Sequence, residues 1–343
     1  MDNGKKRILI TGSSGFVGSF LVDEGVRKGF EVFAAVRKTS SVKNLKHENL
    51  KFFDFDLTDI ESLRKDLKNF AEEQGGFHYV IHSAGITKPK RIEEFELGNA
   101  VFTRDFANAV LESQPEFKKF TFISSMAAQG PGDPDQKTPI LEHHPSRPMT
   151  PYGRSKHLAE QYLAQIENLP FLIFRPTAVY GPRDQKFLVR LYSLMKRGFD
   201  VTLGDADLQS SFVYVEDLVS LIYDGIDHEV AGEIFNVSDG KYYTQGQLVD
   251  FIKKEAKLKT LSIRIPRSVM LGVSYSMLAV NRILQKPVHL SPYKVRELTA
   301  RNWNVDISKA RDILGFDPQF DLKKGVAETV RWLKAQQEGN PGS

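Results

Sequence analysis

A glycine turn near the start of the chain restricts its fold more than any other stretch. Gly12-Ser13-Ser14-Gly15-Phe16-Val17-Gly18 follows an apolar run at residues 7–11 and opens an apolar-periodic segment that reaches about residue 28. Strand, glycine turn and helix in that order begin a βαβ unit. Glycines let backbone N–H groups approach a pyrophosphate, and the helix N-terminus adds a favourable dipole. The spacing is Gly-x-x-Gly-x-x-Gly rather than Gly-x-Gly-x-x-Gly, so a turn that only joins strand to helix is the competing reading. Its place at the head of a βαβ unit favours dinucleotide binding by Gly12, Ser14, Gly15, Phe16, Val17 and Gly18.

The segments that follow keep the alternation. Strands are expected at 31–36, 50–55, 78–82, 117–125 and 171–175, with helices between them. This pattern specifies an α/β fold with a doubly wound parallel sheet. Beyond 175 it loosens, with helices expected at 187–197, 216–226, 244–256 and 322–335, strands at 211–215 and 233–237, and a turn at 203–205. A chain of 343 residues is long enough for one large domain or two modest ones. The expected domains are a Rossmann domain over 1–175, also receiving segments around 205–240, and a smaller, mostly helical substrate-binding domain over 176–335. Residues 336–343 read as a disordered tail.

Composition narrows the chemistry. The absence of cysteine excludes disulfides and thiolate nucleophiles and agrees with a cytoplasmic location. A net charge of +4 gives no reason to expect nucleic acid. The most lipid-like segment, 268–283, carries Asn281 and Arg282 and is too short to span a bilayer. It reads as a helix that covers a pocket or core rather than one that contacts a membrane.

Candidate site residues gather at strand ends, where ligands bind in open α/β sheets. Residues 37–40 read Arg37-Lys38-Thr39-Ser40, where an NAD-binding fold usually places an acidic residue. An arginine there pairs with a 2′-phosphate, which points to NADP, with NAD the alternative. Asp56 either accepts from an adenine amine or caps a turn, and Asp59 reads as a helix N-cap. Ser83-Ala84-Gly85 let a flat cofactor lie against the backbone. His82 reads as packed rather than catalytic. The Pro- and Gly-rich loop 130–150 reads as a lid or site wall. Adjacent His143 and His144 point apart, so no metal site is expected. Tyr152 and Lys156, four residues apart, share one helix face. The ammonium favours the phenolate and lowers the phenol from its usual value of about 10, which makes a general acid/base near neutral pH. An exposed helical pair is the plain alternative.

Together these motifs resemble the extended short-chain dehydrogenase/reductase family, which includes the NAD-dependent epimerases and dehydratases. The resemblance runs from Thr11 to about Trp332. It rests on the glycine turn, Asp56-Leu57, His82-Ser83-Ala84-Gly85, Ser124-Ser125, Tyr152-Gly153-Arg154-Ser155-Lys156 and Arg175-Pro176-Thr177-Ala178-Val179-Tyr180-Gly181-Pro182. Asn99 and Thr103 match the family's Asn-x-x-Gly-Thr helix, with Phe102 in place of the glycine. The resemblance implies that Tyr152 is the acid/base and that Lys156 holds the nicotinamide ribose hydroxyls. Ser125, with Ser124 the second choice, would bond the substrate oxygen. Leu57 and Pro176 would also lie at the cofactor, and the family suggests a homodimer.

Within the family, Ser210 replaces the arginine that meets nucleotide phosphates, and Met126-Ala127-Ala128 lacks the acidic residues of a dehydratase. Val36-Arg37-Lys38 and the segment Trp303 to Ala310 are similar to the dihydroflavonol reductase and 3β-hydroxysteroid dehydrogenase branch. The expected activity is interconversion of a ketone and a secondary alcohol by hydride transfer on a small molecule, and the apolar segment 268–283 would suit a hydrophobic one. A nucleotide-sugar epimerase is the alternative, and a dinucleotide-sensing protein without turnover is the remote one.

Overall fold

The computed structural model describes residues 5–54, 56, 59–87, 89, 91–284 and 291–338, and the side chains of 281–284 lie outside that description. Two compact units divide the chain. The first comprises Met1–Ala128, Pro151–Arg175 and Val219–Phe235, the second Gln129–Thr150, Pro176–Leu218 and Asn236–Ser343.

The first unit opens with β1 (Arg7–Thr11), α1 (Phe16–Arg27), β2 (Glu31–Val36), β3 (Lys51–Asp54), α2 (Ile60–Gln74) and β4 (Tyr79–His82). Next come a short α3 (Glu93–Glu96), a π-helical turn (Leu97–Val101), α4 (Phe102–Ser113), β5 (Lys119–Ile123) and α5 (Met126–Gln129). After the excursion of 129–150, α6 (Pro151–Gln165) leads into β6 (Phe171–Pro176).

A seven-stranded sheet runs β11-β6-β5-β4-β1-β2-β3, where β11 is Glu233–Val237. Every pair from β3 through β6 is parallel. Strands covered on both faces read as unbroken apolar runs, and β1 and β4 are buried along their whole length. Leu9, Val80, Phe120, Phe122 and Ile173 from the strands pack with Leu63 and Leu67 of α2 and Phe106 of α4. The chain leaves the sheet edge at β3 and returns at β4, on the other side of β1. That reversal makes the C-terminal ends of β1 and β4 the switch point at which such sheets bind ligands. Thr11 and His82 are paired there, so Gly12 and Ser83 leave the sheet side by side.

The second unit contains β7 (Ala178–Tyr180), α7 (Leu188–Lys196), β8 (Phe199–Leu203), β9 (Gln209–Ser210) and β10 (Phe212–Tyr214). α8 (Val215–Asp227) and β11 lead to α9 (Gln245–Ala256), β12 (Leu261–Ile265), α10 (Arg267–Leu284), α11 (Pro292–Leu298), β13 (Asn302–Trp303), α12 (Ser308–Leu314) and α13 (Leu322–Glu338). Its core joins Tyr180, Tyr192, Phe212 and Tyr243 to Leu322, Val326, Val330 and Leu333 of α13.

Three two-stranded parallel pairs, β10-β7, β12-β8 and β13-β9, are new relative to the sequence reading. Partners lie far apart in the chain, so no local pattern announces them. The two units are of nearly equal length, where the sequence reading has a smaller second domain. Helix α13 continues through Gln336 to Glu338, into the stretch read as tail, and 339–343 lie outside the described residues. Loop 130–150 is fastened within the second unit: Gly132 N–H donates to Asn302 O (3.0 Å), Ile140 N–H to Asn304 O (2.8 Å), and Glu142 accepts from Asn236 N–H (2.8 Å). Helix α10 is not the cover that its apolar sequence suggests, because much of its apolar surface faces solvent. No helix among the described residues is long and apolar enough to cross a membrane.

Candidate active site

At the switch point the glycine turn is held against the loop after β4. Gly12 has φ of 68°, and a Cβ there would stand 2.8 Å from the Ser83 carbonyl carbon and the Ala84 nitrogen. Gly15 N–H closes the turn onto Gly12 O at 2.9 Å. A Cβ on Gly18 would fall 2.0 Å from Gly12 O, so α1 crosses the turn at backbone contact. Gly15 is the N-cap of α1 and supplies no side-chain acceptor. The first N–H groups of the helix therefore need an outside partner. Gly15 is exposed, and Ser14, Phe16 and Val17 are half-buried, while Ser13 turns inward to bond Ile10 O. A turn with glycine at 12, 15 and 18, leading into a helix whose first N–H groups have no side-chain cap, fits the pyrophosphate of a dinucleotide.

Beyond β2, Arg37 is exposed and makes no ion pair among the described residues. Its N–H donates to Ser40 Oγ at 3.2 Å. Lys38 Nζ lies 3.4 Å from Asp54, a largely solvated pair of little energetic weight. Asp56 is exposed, its carbonyl accepting from Asp59 N–H at 3.4 Å, and Asp59 caps α2 through Ser62 N–H at 3.0 Å. Leu57 lies outside the described residues. Ser83 and Ala84 are half-buried and Gly85 exposed. Pro176, the last residue of β6, is buried.

Behind the turn a chain of hydrogen bonds crosses the sheet. Thr11 Oγ1 accepts from Ala84 N–H at 3.1 Å and meets His82 Nδ1 at 2.8 Å. His82 Nε2 meets Thr103 Oγ1 at 3.0 Å, and Thr103 donates to Asn99 O at 2.8 Å. Because the Thr103 proton is already given, His82 carries its own proton on Nε2 and accepts from Thr11 at Nδ1. Burial, and then the charge of Lys156, lower the imidazole to about 3. A neutral histidine with both nitrogens bonded is a brace, as its place at a buried strand end suggests.

Helix α6 presents Tyr152, Lys156 and Glu160 at steps of four. Tyr152 is half-buried, its ring edge-on to Phe95 at 6.1 Å. Lys156 is buried; its Nζ lies 3.9 Å from the Phe122 ring centre and donates to Ile123 O at 2.6 Å. Burial lowers the ammonium to about 7, and the Glu160 charge works in the other direction. Of the two serines, Ser124 is buried and its hydroxyl donates to Glu160 Oε1 at 2.5 Å. Ser125 is half-buried, with Oγ accepting from Ala127 N–H at 3.1 Å. Ser125 is thus the serine with its donor proton uncommitted by that contact.

Glu160 has no role in the sequence reading, and Asn99, Ser155 and Arg175 enter it only as parts of family motifs. Glu160 receives two bonds from the Arg175 guanidinium, at 2.9 and 2.7 Å. Burial pushes its carboxyl up, but His157 at 3.5 Å, Arg175 and Ser124 outweigh burial and hold it below the ordinary carboxylate value. The one carboxylate therefore ties the ends of β5 and β6 to α6. The available signal was its place one turn beyond Lys156. Asn99, read only as a family match, sits in the π-helical turn. Its Oδ1 accepts from Ile86 N–H (2.6 Å) and its Nδ2 donates to Ile86 O and Ser155 Oγ, both at 3.0 Å. Ser155 in turn donates to Tyr152 O at 2.8 Å. The loop after Gly85 is thereby tied to the turn of α6 that carries Tyr152.

The model of the NAD dependent epimerase/dehydratase family matches residues 8–238. A putative UDP-glucose 4-epimerase of Methanocaldococcus jannaschii is 27% identical over 95% of this chain and 98% of its own. A decarboxylating sterol-4-alpha-carboxylate 3-dehydrogenase of Candida albicans is 24% identical over 97% of this chain and 99% of its own. The solved UDP-glucose 4-epimerase of Thermotoga maritima with UDP-glucose has a TM-score of 0.77 at 24% identity, covering 96% of this chain and 99% of that one. With a Rossmann-like parallel sheet and a family match across most of its length, this chain belongs to the NAD dependent epimerase/dehydratase family and is an enzyme of the extended short-chain dehydrogenase/reductase type.

Proposed function

We propose that this enzyme is a nucleotide-sugar epimerase acting by reversible hydride transfer at a secondary carbinol carbon. The chemistry rests on one observation: Tyr152 is half-buried one helical turn from buried Lys156, whose Nζ reaches the carbonyl two residues before half-buried Ser125. Epimerisation is preferred to net ketone reduction because relatives matched along nearly their full length include UDP-glucose 4-epimerases.

A bound nicotinamide dinucleotide supplies the hydride donor and acceptor. The glycine turn and the first N–H groups of α1 hold its pyrophosphate, and Ser83, Ala84 and Gly85 give it a flat bed. Exposed Arg37, with no acidic residue at the end of β2, takes a 2′-phosphate, so NADP is preferred to NAD. The Tyr152 oxygen accepts the proton of the substrate hydroxyl on oxidation and returns it on reduction. The Ser125 hydroxyl donates to the same oxygen and meets its charge as it develops. Cationic Lys156 stabilises the phenolate, and the Glu160 carboxylate favours that cation.

A second reading, net oxidation or reduction of an apolar alcohol or ketone, is favoured by Ser210. This uncharged residue stands where related nucleotide-sugar enzymes carry arginine, and its backbone is engaged with Tyr243 at 2.9 and 2.8 Å. With UDP-glucose as probe, the first reading expects conversion to the 4-epimer without net change in free-cofactor absorbance. Tyr152→Phe should slow conversion by about 10²–10⁴-fold with cofactor affinity unchanged. Stoichiometric cofactor consumption with ketones, and none with nucleotide sugars, would replace the first reading by the second. Full activity of Tyr152→Phe would remove the mechanism from both. For the cofactor, Arg37→Ala should weaken NADPH about tenfold or more while sparing NADH; equal weakening, by titration, counts against the 2′-phosphate contact.

A further inference from the structure

Helix α10 is apolar around most of its circumference, yet Met270 and Ser274 are its only buried residues among those whose side chains are described. Val269, Val273, Tyr275 and Val280 are 52%, 49%, 50% and 52% exposed. Leu261 and Ile263 of neighbouring β12, exposed to 64% and 40%, and Tyr293 of α11 extend the apolar character within the same unit. Isolated exposed apolar residues are ordinary, but a concentration of them in one segment marks an interaction surface.

Charge identifies the occupant. Residues 256–296 contain eight Lys or Arg and no Asp or Glu. The whole chain is only +4, so the remainder is net negative. Lys257, Lys259, Arg264 and Arg267 are all exposed and form no ion pair among the described residues. Arg296 Nη2 donates to Tyr275 OH at 3.2 Å, while Lys294 is paired with Glu297 at 2.8 Å.

We infer that α10, with the basic residues that precede it, docks this enzyme on the surface of a bilayer containing anionic phospholipid. Exposed aliphatic side chains on an in-plane helix enter the headgroup and acyl boundary, with Tyr275 suited to the interface. The basic residues remain at headgroup level, where their long stems add apolar contact. Residues 256–296 of a second copy carry no Asp or Glu to pair with these cations, so a second copy joined through the same segment in an isologous dimer is the poorer fit. The helix lies on the surface and does not span it.

Co-sedimentation of the full chain with lipid vesicles tests this without cofactor or turnover, so its result is independent of the proposed reaction. Binding to phosphatidylcholine vesicles carrying about 30 mol% phosphatidylglycerol should exceed binding to phosphatidylcholine alone by about tenfold or more, and fall with added salt. Arg264→Glu with Arg267→Glu should lower binding about tenfold, and Val269→Asn with Val273→Asn should lower it at any salt concentration. All four positions are exposed, so an unchanged melting temperature verifies that the variants are folded. Absence of binding to the anionic vesicles, or equal binding by the charge-reversed variant, overturns the inference. A stable dimer that Val269→Asn with Val273→Asn splits into monomers also overturns it, because a second copy would then cover the face.

Discussion

His82 carries no charge at neutral pH, and its position makes that costly to change. The ring is buried among Phe106, Phe120 and Phe122, with both nitrogens committed to threonine hydroxyls. Its folded value of about 3 lies below the ordinary 6.5. Between those values the unfolded chain binds the proton and the folded one does not, so stability falls as pH drops below about 6.5. Lys156, lowered to about 7 by burial, gives the same sign in a different window: stability rises from about pH 7 towards the unfolded lysine value. His82→Phe should flatten the decline of the urea midpoint between about pH 6.5 and 4, even though its absolute stability falls because Thr11 and Thr103 lose a partner. An undiminished slope would assign the acid sensitivity to other groups. The brace was legible as a histidine ending a buried strand; its threonine partners were not, since they come from β1 and α4.

At the scale of elements, the turn between β1 and α1 is the part that tolerates least. Gly18→Ala must displace either the helix or the Gly12 carbonyl, a misfit that costs about 1–3 kcal/mol. It should also weaken dinucleotide binding, because the displaced atoms belong to the turn proposed to hold the pyrophosphate. Gly29→Ala meets no atom within 4 Å and bears only the strain of its φ of 82°, so it should leave dinucleotide affinity unchanged. Calorimetric titration of both variants checks this; equal affinities would show that the close crossing of α1 does not shape the site. The turn could be read from sequence because glycine spacing and the change of period are local. The π-helical turn at Leu97–Val101 could not, since one extra residue in a helical turn leaves the apolar pattern almost unchanged. The same turn aims Asn99 at Ile86 and Ser155.

Across the whole molecule, the sequence by itself determined the order of the sheet strands and of the long helices between them through β6, the glycine turn and the spacing of the Tyr152–Lys156 pair. These depend on periodicity and short spacings, which the chain carries within a few residues. Tertiary structure alone decided that Ser124 serves Glu160 while Ser125 stays open, that Arg175 reaches back to α6, and that 129–150 packs with the second unit. It also decided the three short parallel pairs and the exposure of α10, an apolar helix that sequence logic assigns to a core. Apolar residues state what a segment prefers to avoid. Whether water is in fact excluded depends on neighbours contributed from distant parts of the chain.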